Sequence, residues 1–549
     1  MTPEIARPDA ALVDRLRDDL AAFSVAALSS VWGRAADAAV QRGSLAPARR
    51  AIADAGAGAA GTTADLAALF VLGLPLPGDR AGAALPRLGL DGALRLGLVR
   101  EDGGAVRARV DLRPVQFVDP DGVGEWWIVS DLSEAVVGAA LPEDHVLGVG
   151  GASRTLAGLQ LPRDAGSVLD LGTGSGIQAL RAARYGRRIV ATDVSRRALD
   201  YAALNAALNR VELDLRQGSL YEPVAGERFD RILSNPPFVI TPRVPGVPAY
   251  EYRDGGLPGD ELVEAVVRGA AEHLRPGGVA QLLANWEDRQ GAEGRDRVAR
   301  WAEEAGLDAW IVQREVQDPA LYAETWIRDG GTRPGSAGYD ALLEAWLDDF
   351  ASRGVRSIGF GYVTLRRPEG RSPRRRVEEE RGGSAALGGH LAACLDAQQW
   401  LAETDDDALL AARLVVAGDV TEERHYWPGE EHPAAIQLRQ GAGSSACFPS
   451  IPPSRAWSGR ATASSAWARS PPRSRSSSIR TRTSSAVRCC PRSANSSRSG
   501  CSSRPSSAER GSGRRARGVS GARSAVRGAL GGRASRRCRG VRGRGGRSG

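Results

Sequence analysis

The sequence predicts an α/β protein: a Rossmann-like doubly wound sheet flanked by a small N-terminal α+β module and a C-terminal α+β module, followed by a disordered tail. One observation predicts the sheet. Between residues 150 and 366, short β-branched runs alternate with stretches of helical periodicity, which is typical of a mainly parallel sheet with helices on both faces. The last run looks like a late strand that could run antiparallel. An α/β domain is therefore predicted over residues 145–366.

Several strands and at least two helices are predicted within this domain. The strand-like runs are, in chain order, SVLDL, RIVATDV, LDLRQG, DRILSN, GVAQLLAN, DAWIVQREV and RSIGFGYVTLR, and the helix-like stretches include ALRAARYG and SRRALDYAALNAALN. The run FDRILSNPPF is the fourth strand in this order. In a doubly wound sheet its carboxyl end lies beside that of the first strand, and ligands bind beyond these ends. Functional residues are therefore expected where the strands end.

Residues 1–140 are predicted to form a separate α+β module. From residue 8 onwards, apolar residues recur at three- and four-residue spacing, which predicts one or two amphipathic helices. Thr62 and Thr63 could cap a further helix, and the alternation over residues 105–130 predicts a β-hairpin. This order could give a winged-helix-like module. It could recognise a substrate or simply pack against the next domain, and the sequence favours neither function.

Three segments are predicted after the α/β domain. Residues 367–384 are polar and rich in Arg and Glu, which indicates a linker. Residues 385–442 predict two helices and a strand, a C-terminal module that the following tail cuts short. Residues 443–549 consist largely of Ser, Arg, Ala, Gly and Pro with almost no acidic residues, a composition that cannot bury a core.

The tail has two interpretations. One is a basic tail that binds nucleic acid. The other is a frameshift near Gly441 to Ser445, because acidic residues vanish where cysteines become frequent and the change falls inside an element with a folded pattern. A GC-rich gene read out of frame gives this composition, and all 73 basic residues of the chain are arginine. We favour the frameshift and expect no functional site in the tail.

The distribution of charge argues against long-range attraction between the folded part and nucleic acid. The net charge of the chain is +8, but residues 436–549 hold 25 Arg against one acidic residue, Glu509. Residues 1–435 hold 48 Arg against 64 acidic residues, a net charge of −16. Such a body is a poor partner for a polyphosphate unless one face is locally basic.

Cysteine and hydropathy patterns predict a cytoplasmic protein. Cys394 is the single cysteine before the tail, so the folded part cannot be a disulfide scaffold. The chain does not open with a charged-then-apolar segment before a small-residue cleavage site, and no apolar run of about 18 residues occurs. The five histidines lack the spacing of a metal site. We therefore expect no membrane segment and no metal.

The stretch SVLDLGTGSGIQALRAA predicts a strand, a glycine-rich turn and a helix. Gly172, Gly174 and Gly176 let the backbone turn sharply and approach a ligand, and the helix that follows presents free N–H groups. Asp170 stands just before the glycines. A carboxylate there would repel a pyrophosphate but suits a ligand with an ammonium group, so a dinucleotide fits poorly. A glycine turn that only packs a strand on a helix is the alternative.

Two further strand ends describe the rest of this ligand. Asp193 ends the second strand, at about the distance from the glycines where an acidic residue accepts from ribose hydroxyls. Ser219 follows the third strand and could approach an adenine edge. Together these features describe a nucleoside with a cationic end that bears an amino acid. S-Adenosyl-L-methionine fits this description.

The motif Asn235-Pro236-Pro237-Phe238 ends the fourth strand. The side-chain oxygen of Asn235 could accept one N–H of a planar NH2 group, and the carbonyl of Pro236 could accept the other. Phe238 offers a flat face for stacking, and the two prolines preset the backbone. Two acceptors raise the electron density on a delocalised nitrogen and aim it at a methyl donor. The motif predicts N-methylation, and a Pro-Pro turn without function is the alternative.

The glycine loop and this acceptor motif resemble those of class I S-adenosylmethionine-dependent methyltransferases. The stretches DLGTGSG and SNPPFVITP are most similar to HemK-type release-factor glutamine methyltransferases, and the resemblance covers residues 145–366. It implies that Asn235 begins the acceptor motif. Many relatives carry an acidic residue where Ser219 stands, which puts the adenine contact in doubt. The resemblance assigns the methionine part of the cofactor to Asp170, Gly172, Gly174 and Gly176, and its ribose to Asp193.

Three functions are compatible with these motifs. The HemK resemblance and the extension FVITP favour a methyltransferase that modifies a glutamine amide of a release-factor-like protein. An RNA or DNA methyltransferase acting on guanine or adenine is the second hypothesis, because the Asn-Pro-Pro-aromatic motif occurs there too. A regulatory module that only binds the cofactor is the third, but it predicts a damaged acceptor motif. The motif is intact.

Two loops flank the predicted site. Residues 142–157 precede the first strand and could close over the cofactor through Arg154 or Thr155, although a plain interdomain linker explains them equally well. The loop after the acceptor motif would lie over the substrate. Its candidates for substrate contact are Tyr250, Tyr252 and Arg253.

Overall fold

The computed structural model of the protein describes residues 8–55, 61–119, 122–139, 141–379, 387–416, 420–440 and 447–449. All of them belong to one compact unit. The predicted frameshift point and the tail lie outside the described residues, except for a short strand at Cys447–Pro449.

Six helices and a small sheet form the N-terminal part. The helices are α1 (Ala10–Leu20), α2 (Val25–Gln41), α3 (Ala46–Ala55), α4 (Gly61–Leu66, continued by a π-helix, Ala67–Val71), α5 (Gly78–Ala84) and α6 (Gly89–Arg95). The side chains of Asp9 and Ser24 cap α1 and α2 by accepting from first-turn N–H groups. The antiparallel sheet has the order β1-β3-β2, with β1 (Leu76–Pro77), β2 (Val99–Asp102) and β3 (Ala105–Ala108).

One or two amphipathic helices are predicted from residue 8, and the structure has two, α1 and α2. The predicted hairpin is also present, formed by β4 (Val110–Asp119) and β5 (Gly122–Asp131). It begins later than expected, because residues 105–108 pair in the small sheet instead. Thr62 and Thr63 lie inside α4 rather than at its cap. Two short helices then lead to the large sheet, α7 (Glu134–Val137) and α8 (Gly151–Leu159).

An eight-stranded sheet forms the centre of the fold. Its strands are β6 (Ala165–Leu171), β7 (Gly186–Asp193), β8 (Asp214–Gln217), β9 (Phe229–Ser234), β10 (Leu274–Arg289), β11 (Asp308–Gln317), β12 (Val355–Arg366) and β13 (Arg375–Glu379). Their order is β13-β11-β12-β10-β9-β6-β7-β8, and β12 runs antiparallel to both of its neighbours. The predicted doubly wound α/β sheet with a late antiparallel strand is confirmed.

The register brings the predicted site residues to one edge of this sheet, the edge that is formed by the carboxyl ends of its parallel strands. β6 and β9 are parallel neighbours, and their last paired residues are Leu171 and Ser234. The fourth strand therefore ends beside the first, as the strand order predicts. Helices cover the sheet: α9 (Ile177–Ala182), α10 (Arg196–Leu208), α11 (Glu261–His273), α12 (Gly294–Glu304), α13 (Pro319–Asp329) and α14 (Tyr339–Ser352).

Apolar side chains fill both sides of the sheet. One cluster contains Leu169, Ile232 and Trp286, and another contains Val168, Ile189 and Leu233. Leu169 of β6 and Ile232 of β9 face the first cluster, and their neighbours Val168 and Leu233 face the second. Each strand is therefore buried on both faces, as a parallel sheet requires. Helices α13 and α14 are inserted between β11 and β12, and they form a separate apolar cluster with Val239, Ile240 and Ile358.

The prediction of a linker over residues 367–384 is corrected in part. Residues 375–379 form β13, which pairs with β11 at the sheet edge. A charged strand lacks the apolar alternation that identifies strands, and charge on an edge strand discourages pairing with other chains. Arg376 lies 4.3 Å from the ring centroid of Trp310, and the Trp310 indole donates to Glu378. Side chains of β13 therefore hold it against β11.

The C-terminal part contains two helices and a small antiparallel sheet. The second of the two helices predicted here spans Asp406–Ala411. The first helix, α15 (Gly388–Glu403), packs Leu391, Ala392 and Leu395 against Leu156 and Leu159 of α8. The elements are α15 (Gly388–Glu403), α16 (Asp406–Ala411), β14 (Val420–His425), β15 (Ala435–Gln440) and β16 (Cys447–Pro449).

Candidate active site

The glycine loop between β6 and α9 adopts the conformation that its glycines permit. Gly172, Gly174 and Gly176 have φ angles of 74°, 55° and 88°, a region that disfavours other residues. A Cβ atom at Gly172 or Gly174 would meet open space, whereas one at Gly176 would lie 3.3 Å from Ala202 of α10. The first two glycines therefore border a space that a ligand can occupy, and the third packs the loop on α10.

Asp170 is buried at the end of β6. Its Oδ2 accepts from the Thr173 hydroxyl at 2.6 Å and from the backbone N–H of Ala179 at 2.9 Å. Its Oδ1 is also buried but has no hydrogen-bond partner among the described residues. Burial raises the pKa of Asp170 to about 7, and the bonds from Thr173 and Ala179 only partly oppose this shift. An unpaired buried oxygen here suits a cationic donor from a ligand.

Asp193 ends β7 beside the glycine loop. Its Oδ2 accepts from the N–H of Gly174 at 2.9 Å and its Oδ1 accepts from the N–H of Ser195 at 2.9 Å. Burial raises the pKa of this carboxyl, and these backbone bonds lower it. Each oxygen keeps a lone pair, because a carboxylate can accept about four hydrogen bonds. Asp193 thus shapes the loop and can still accept from a ligand.

Ser219 lies in the turn after β8 with its side chain exposed. The preceding Gly218 donates its backbone N–H to the carbonyl of Asp193 at 3.0 Å. The turn that carries Ser219 is therefore tied to the end of β7. The structure brings the ends of β6, β7 and β8 to one edge, and an adenine contact of Ser219 stays a prediction.

The acceptor motif follows β9 on the same edge. The Ser234 hydroxyl donates to the carbonyl of Leu171 at 2.9 Å and so fixes the end of β9 to that of β6. The Oδ1 atom of Asn235 is buried without a hydrogen-bond partner among the described residues. A buried unpaired acceptor is costly, and the cost is removed when a substrate N–H occupies it. Asn235 thus has the property that recognition of an NH2 group requires.

Pro236 is buried and Phe238 is half-buried. Phe238 packs against three apolar clusters, and its backbone pairs with Asp254. The next residue, Val239, donates its N–H to the carbonyl of Arg253 at 2.8 Å. The motif is therefore clamped between the sheet and the loop that follows it. Acceptance by the Pro236 carbonyl and stacking on Phe238 stay predictions.

Two supporting residues escaped the sequence analysis. The Tyr322 hydroxyl, on α13, accepts from the N–H of Ile240 at 3.0 Å and from the Asn285 side chain at 2.9 Å. Tyr322 and Asn285 are both buried. Asn285 carried a usable signal, because it ends the apolar run AQLLAN as Asn235 ends ILSN. Tyr322 carried none, because only the fold brings α13 to the motif.

The loop after the motif is fixed by buried polar contacts. The carboxylate of Asp254 accepts from the Thr241 hydroxyl and from the N–H of Tyr250. The guanidinium of Arg253 donates to Asp329 at 2.8 Å and lies 4.4 Å from the ring centroid of Tyr250. These contacts tie the loop to the end of α13. Arg253 is buried, so it supports the loop rather than presenting its charge at the surface.

The segment before α8 meets this loop. The N–H of Glu251 donates to the carbonyl of Glu143 at 3.0 Å, and the rings of His145 and Tyr252 lie 6.0 Å apart, edge to face. Burial lowers the pKa of His145, although nearby Asp131 opposes the shift. The two predicted cover segments are therefore joined. Whether Arg154 and Thr155, on α8, reach the cofactor stays a prediction.

Comparisons with known proteins agree with this geometry. Residues 149–292 match the family model of the methyltransferase small domain, and residues 20–109 match a domain of unknown function, DUF7059. Residues 149–292 therefore form a methyltransferase domain, which is similar to HemK-type release factor glutamine methyltransferases. This identification confirms the resemblance found in the sequence. The family match covers β6 to β10 and the glycine loop, and the DUF7059 match covers most of the N-terminal part.

Curated relatives match a minor part of the chain. The release factor glutamine methyltransferase of Xylella fastidiosa is 42% identical over 161 residues, 27% of this chain and 56% of the relative. The ribosomal protein uL3 glutamine methyltransferase of Bradyrhizobium diazoefficiens is 36% identical over 20% of this chain and 38% of its own length. The ribosomal RNA small subunit methyltransferase C of Erwinia tasmaniensis is 29% identical over 36% and 50%, respectively. The chain spans about half the length of such relatives.

Among the described residues, no helix is long and apolar enough to cross a membrane.

Proposed function

We propose that this protein transfers a methyl group from S-adenosyl-L-methionine to a planar NH2 nitrogen, namely a glutamine side-chain amide of a protein. The observation that carries the proposal is the buried, unpaired Oδ1 of Asn235 at the end of β9. This atom lies beside the carboxyl end of β6, from which the glycine loop starts. An acceptor for NH2 and a cofactor loop therefore share one edge of the sheet.

The residues of the loop fit this cofactor. The unpaired Oδ1 of Asp170 supplies an acceptor for the ammonium group, and the open space at Gly172 and Gly174 admits the methionine part. Asp193 keeps lone pairs for the ribose hydroxyls. When bound, the cofactor supplies an electrophilic methyl group on a sulfonium. We assign the adenine contact to Ser219, in the turn after β8.

The acceptor motif would activate the nitrogen by orientation and electrostatics. Asn235 accepts one N–H and Pro236 the other, so electron density rises on a nitrogen whose lone pair is otherwise delocalised. Phe238 holds the plane of the amide. The nitrogen becomes acidic only as the new C–N bond forms, so the chain has to supply acceptors rather than a strong base before attack.

The charge around the cover favours a protein substrate. Glu143 and Glu251 are exposed and adjacent where the two cover segments meet, and the charge of Glu251 reaches Asp193, whose pKa it helps to raise. Negative charge here repels phosphates and attracts a basic protein surface. Relatives named as glutamine methyltransferases of a release factor and of a ribosomal protein support the same class.

An exocyclic amine of RNA or DNA is the second candidate. It is supported by the match to the ribosomal RNA methyltransferase of Erwinia tasmaniensis, which extends over 198 residues. Guanine N2 and adenine N6 are also planar NH2 groups, so the acceptor chemistry is the same. The substrate therefore has to be decided by the surface around the site rather than by the motif.

The experiment that tests the proposal is transfer of radiolabelled methyl groups from the cofactor to purified release factor or ribosomal RNA. We expect label on a glutamine of the protein, and about a 100-fold lower rate for Asn235→Ala, as is found when one oriented polar contact at a reacting group is removed. Asp200→Ala, on α10 where Asp200 pairs with Arg196, is the control. Label on RNA alone would show that the substrate is a base and not a glutamine. Full activity of Asn235→Ala would refute the assignment of the acceptor.

A further inference from the structure

The side chain of Asn205 connects the glycine loop to the N-terminal hairpin. Asn205 lies on α10 and is completely buried. Its Nδ2 donates to the carbonyl of Ser175, inside the glycine loop, at 2.8 Å, and also to the carbonyl of Val129, on β5, at 2.8 Å. Its Oδ1 accepts from the N–H of Val129 at 2.7 Å. One amide therefore satisfies three backbone groups from two distant segments.

Asn209 repeats half of this pattern one turn later. Its Oδ1 accepts from the N–H of Trp127 at 3.1 Å, and its Nδ2 donates to the carbonyl of Trp127 at 2.8 Å. The two amides thus pair with alternate residues of β5, on the edge that does not face β4, in the manner of a neighbouring strand. Both residues dock the hairpin on α10, but Asn205 alone of the two also contacts the glycine loop.

Other contacts dock the N-terminal part on the same two helices. Val115, Trp126 and Ile128 of the hairpin pack against Ile177 and Leu180 of α9, the helix that follows the glycine loop. On α1, Arg17 donates to the carbonyls at the C-terminus of α10. The N-terminal part therefore contacts both α9 and α10, the two helices that carry the walls of the cofactor site.

We propose that Asn205 is a positioning residue through which docking of the N-terminal hairpin holds the glycine loop in its cofactor-binding conformation. Cofactor affinity then depends on whether the hairpin is docked, which gives the N-terminal part a means of regulating the site. The inference rests on the proposed function, because the loop is taken to bind S-adenosyl-L-methionine. Its physical basis is the Ser175 carbonyl, which is buried and loses its side-chain donor when Asn205 is removed.

The test compares Asn205→Ala with Asn209→Ala in the full chain, by calorimetric titration with S-adenosylhomocysteine. Both variants lose hairpin contacts and should melt earlier. We expect the Kd of Asn205→Ala to rise about tenfold, the value of one buried hydrogen bond, and that of Asn209→Ala to change less than twofold. Equal affinity of the two variants would overturn the proposal. Failure of the wild-type chain to bind would instead refute the proposed function.

Hydrogen exchange in the wild-type chain gives a second measurement that needs no variant. Binding of S-adenosylhomocysteine should slow amide exchange in residues 175–179 and also in residues 126–130, although β5 forms no part of the glycine loop. The physical reason is that the Val129 amide donates to the same side chain that holds the Ser175 carbonyl. Protection of the loop without protection of β5 would show that the two move independently and would refute the inference.

Discussion

The candidate site has a cofactor half, made of the glycine loop with Asp170 and Asp193, and an acceptor half, made of the motif Asn235–Phe238. The two halves are supported by different parts of the chain. The glycine loop is bonded to Asp193 and, through Asn205, to the N-terminal hairpin. Ile240, two residues after the acceptor motif, is bonded to Tyr322 of the inserted helix α13, and Arg253 in the loop that follows is bonded to Asp329 of the same helix. The shared sheet supplies the strand ends, and a different appended segment fixes each loop.

The two halves also leave different groups unsatisfied. In the cofactor half, Asp170 keeps one buried unpaired carboxylate oxygen, which suits a cation. In the acceptor half, Asn235 and Asn285 each keep one buried unpaired amide oxygen, which suits a neutral N–H group. The difference indicates that recognition of the cofactor's charge and orientation of the substrate nitrogen are separated in space. Variants in the cofactor half should therefore change cofactor affinity, and variants in the acceptor half should change the rate of methyl transfer.

The largest effect is expected for Asp193→Ala. The change removes the acceptor for the ribose and leaves the N–H groups of Gly174 and Ser195 unpaired. Each charge-assisted bond contributes about 1.5–3 kcal/mol, so the Kd for S-adenosylhomocysteine should rise about 100-fold in a calorimetric titration. Asp200→Ala is the control, because Asp200 pairs with Arg196 near the surface of α10. A rise below threefold for Asp193→Ala would contradict its role.

The pH dependence of binding should report Asp170. With a pKa of about 7, its carboxyl is mostly neutral at pH 6 and mostly charged at pH 8. Because the ligand's ammonium group prefers the carboxylate, affinity should rise about tenfold between these values. Asp170→Asn should flatten this pH profile. Some pH dependence should remain, because the pKa of Asp193 is also raised and its carboxyl keeps its own contribution to the profile. A pH-independent affinity of the wild-type chain would refute the assignment.

The same carboxyl affects the stability of the unliganded protein in the opposite direction. Its folded-state pKa is raised above the ordinary value of about 4, so its contribution to the free energy of unfolding is fully present below pH 4. That contribution is lost as the pH rises through about 7. Thermal melts of the wild-type chain without ligand should therefore show a fall over this range that Asp170→Asn reduces.

Tyr322→Phe should separate the two halves most clearly. Loss of the hydroxyl leaves the N–H of Ile240 and the amide of Asn285 unpaired, which costs about 1–3 kcal/mol of folding free energy. We expect kcat to fall about fivefold, since displaced acceptors orient the nitrogen less well, with the Kd for S-adenosylhomocysteine unchanged. Tyr339→Phe, from the same apolar cluster, is the control. A weaker cofactor affinity in Tyr322→Phe would show that the halves are not independent.

The smallest effect is expected for Glu251→Gln. Removing one exposed charge from the cover should lower kcat/KM for a basic protein substrate about twofold at low ionic strength, and the difference should vanish in high salt. The change should slightly favour RNA. Initial rates with both substrates at two salt concentrations provide the measurement, with Glu261→Gln, at the start of α11, as the control. A faster reaction with the protein substrate would argue against an electrostatic role of the cover.

Local sequence was sufficient to predict members of both halves, namely Asp170, the glycines, Asp193 and Ser219 in the cofactor half and Asn235, Pro236 and Phe238 in the acceptor half. Asp170 and Asn235 both stand where an apolar run stops, and the strand order places these two ends side by side. Asn285 stands at a similar position and could have been found by the same argument. The edge strand β13 was missed, because its charged residues give no apolar alternation.

The sequence by itself determined the doubly wound sheet, the glycine turn and the polar residues at the ends of its strands, because each depends on a short stretch of chain. Tertiary structure alone decided what holds these loops in place. Asn205 meets Val129 across 76 positions of sequence, and Tyr322 meets Ile240 across 82. No periodicity or spacing encodes such pairs, because a buried amide or hydroxyl finds its partner only after distant segments have packed together.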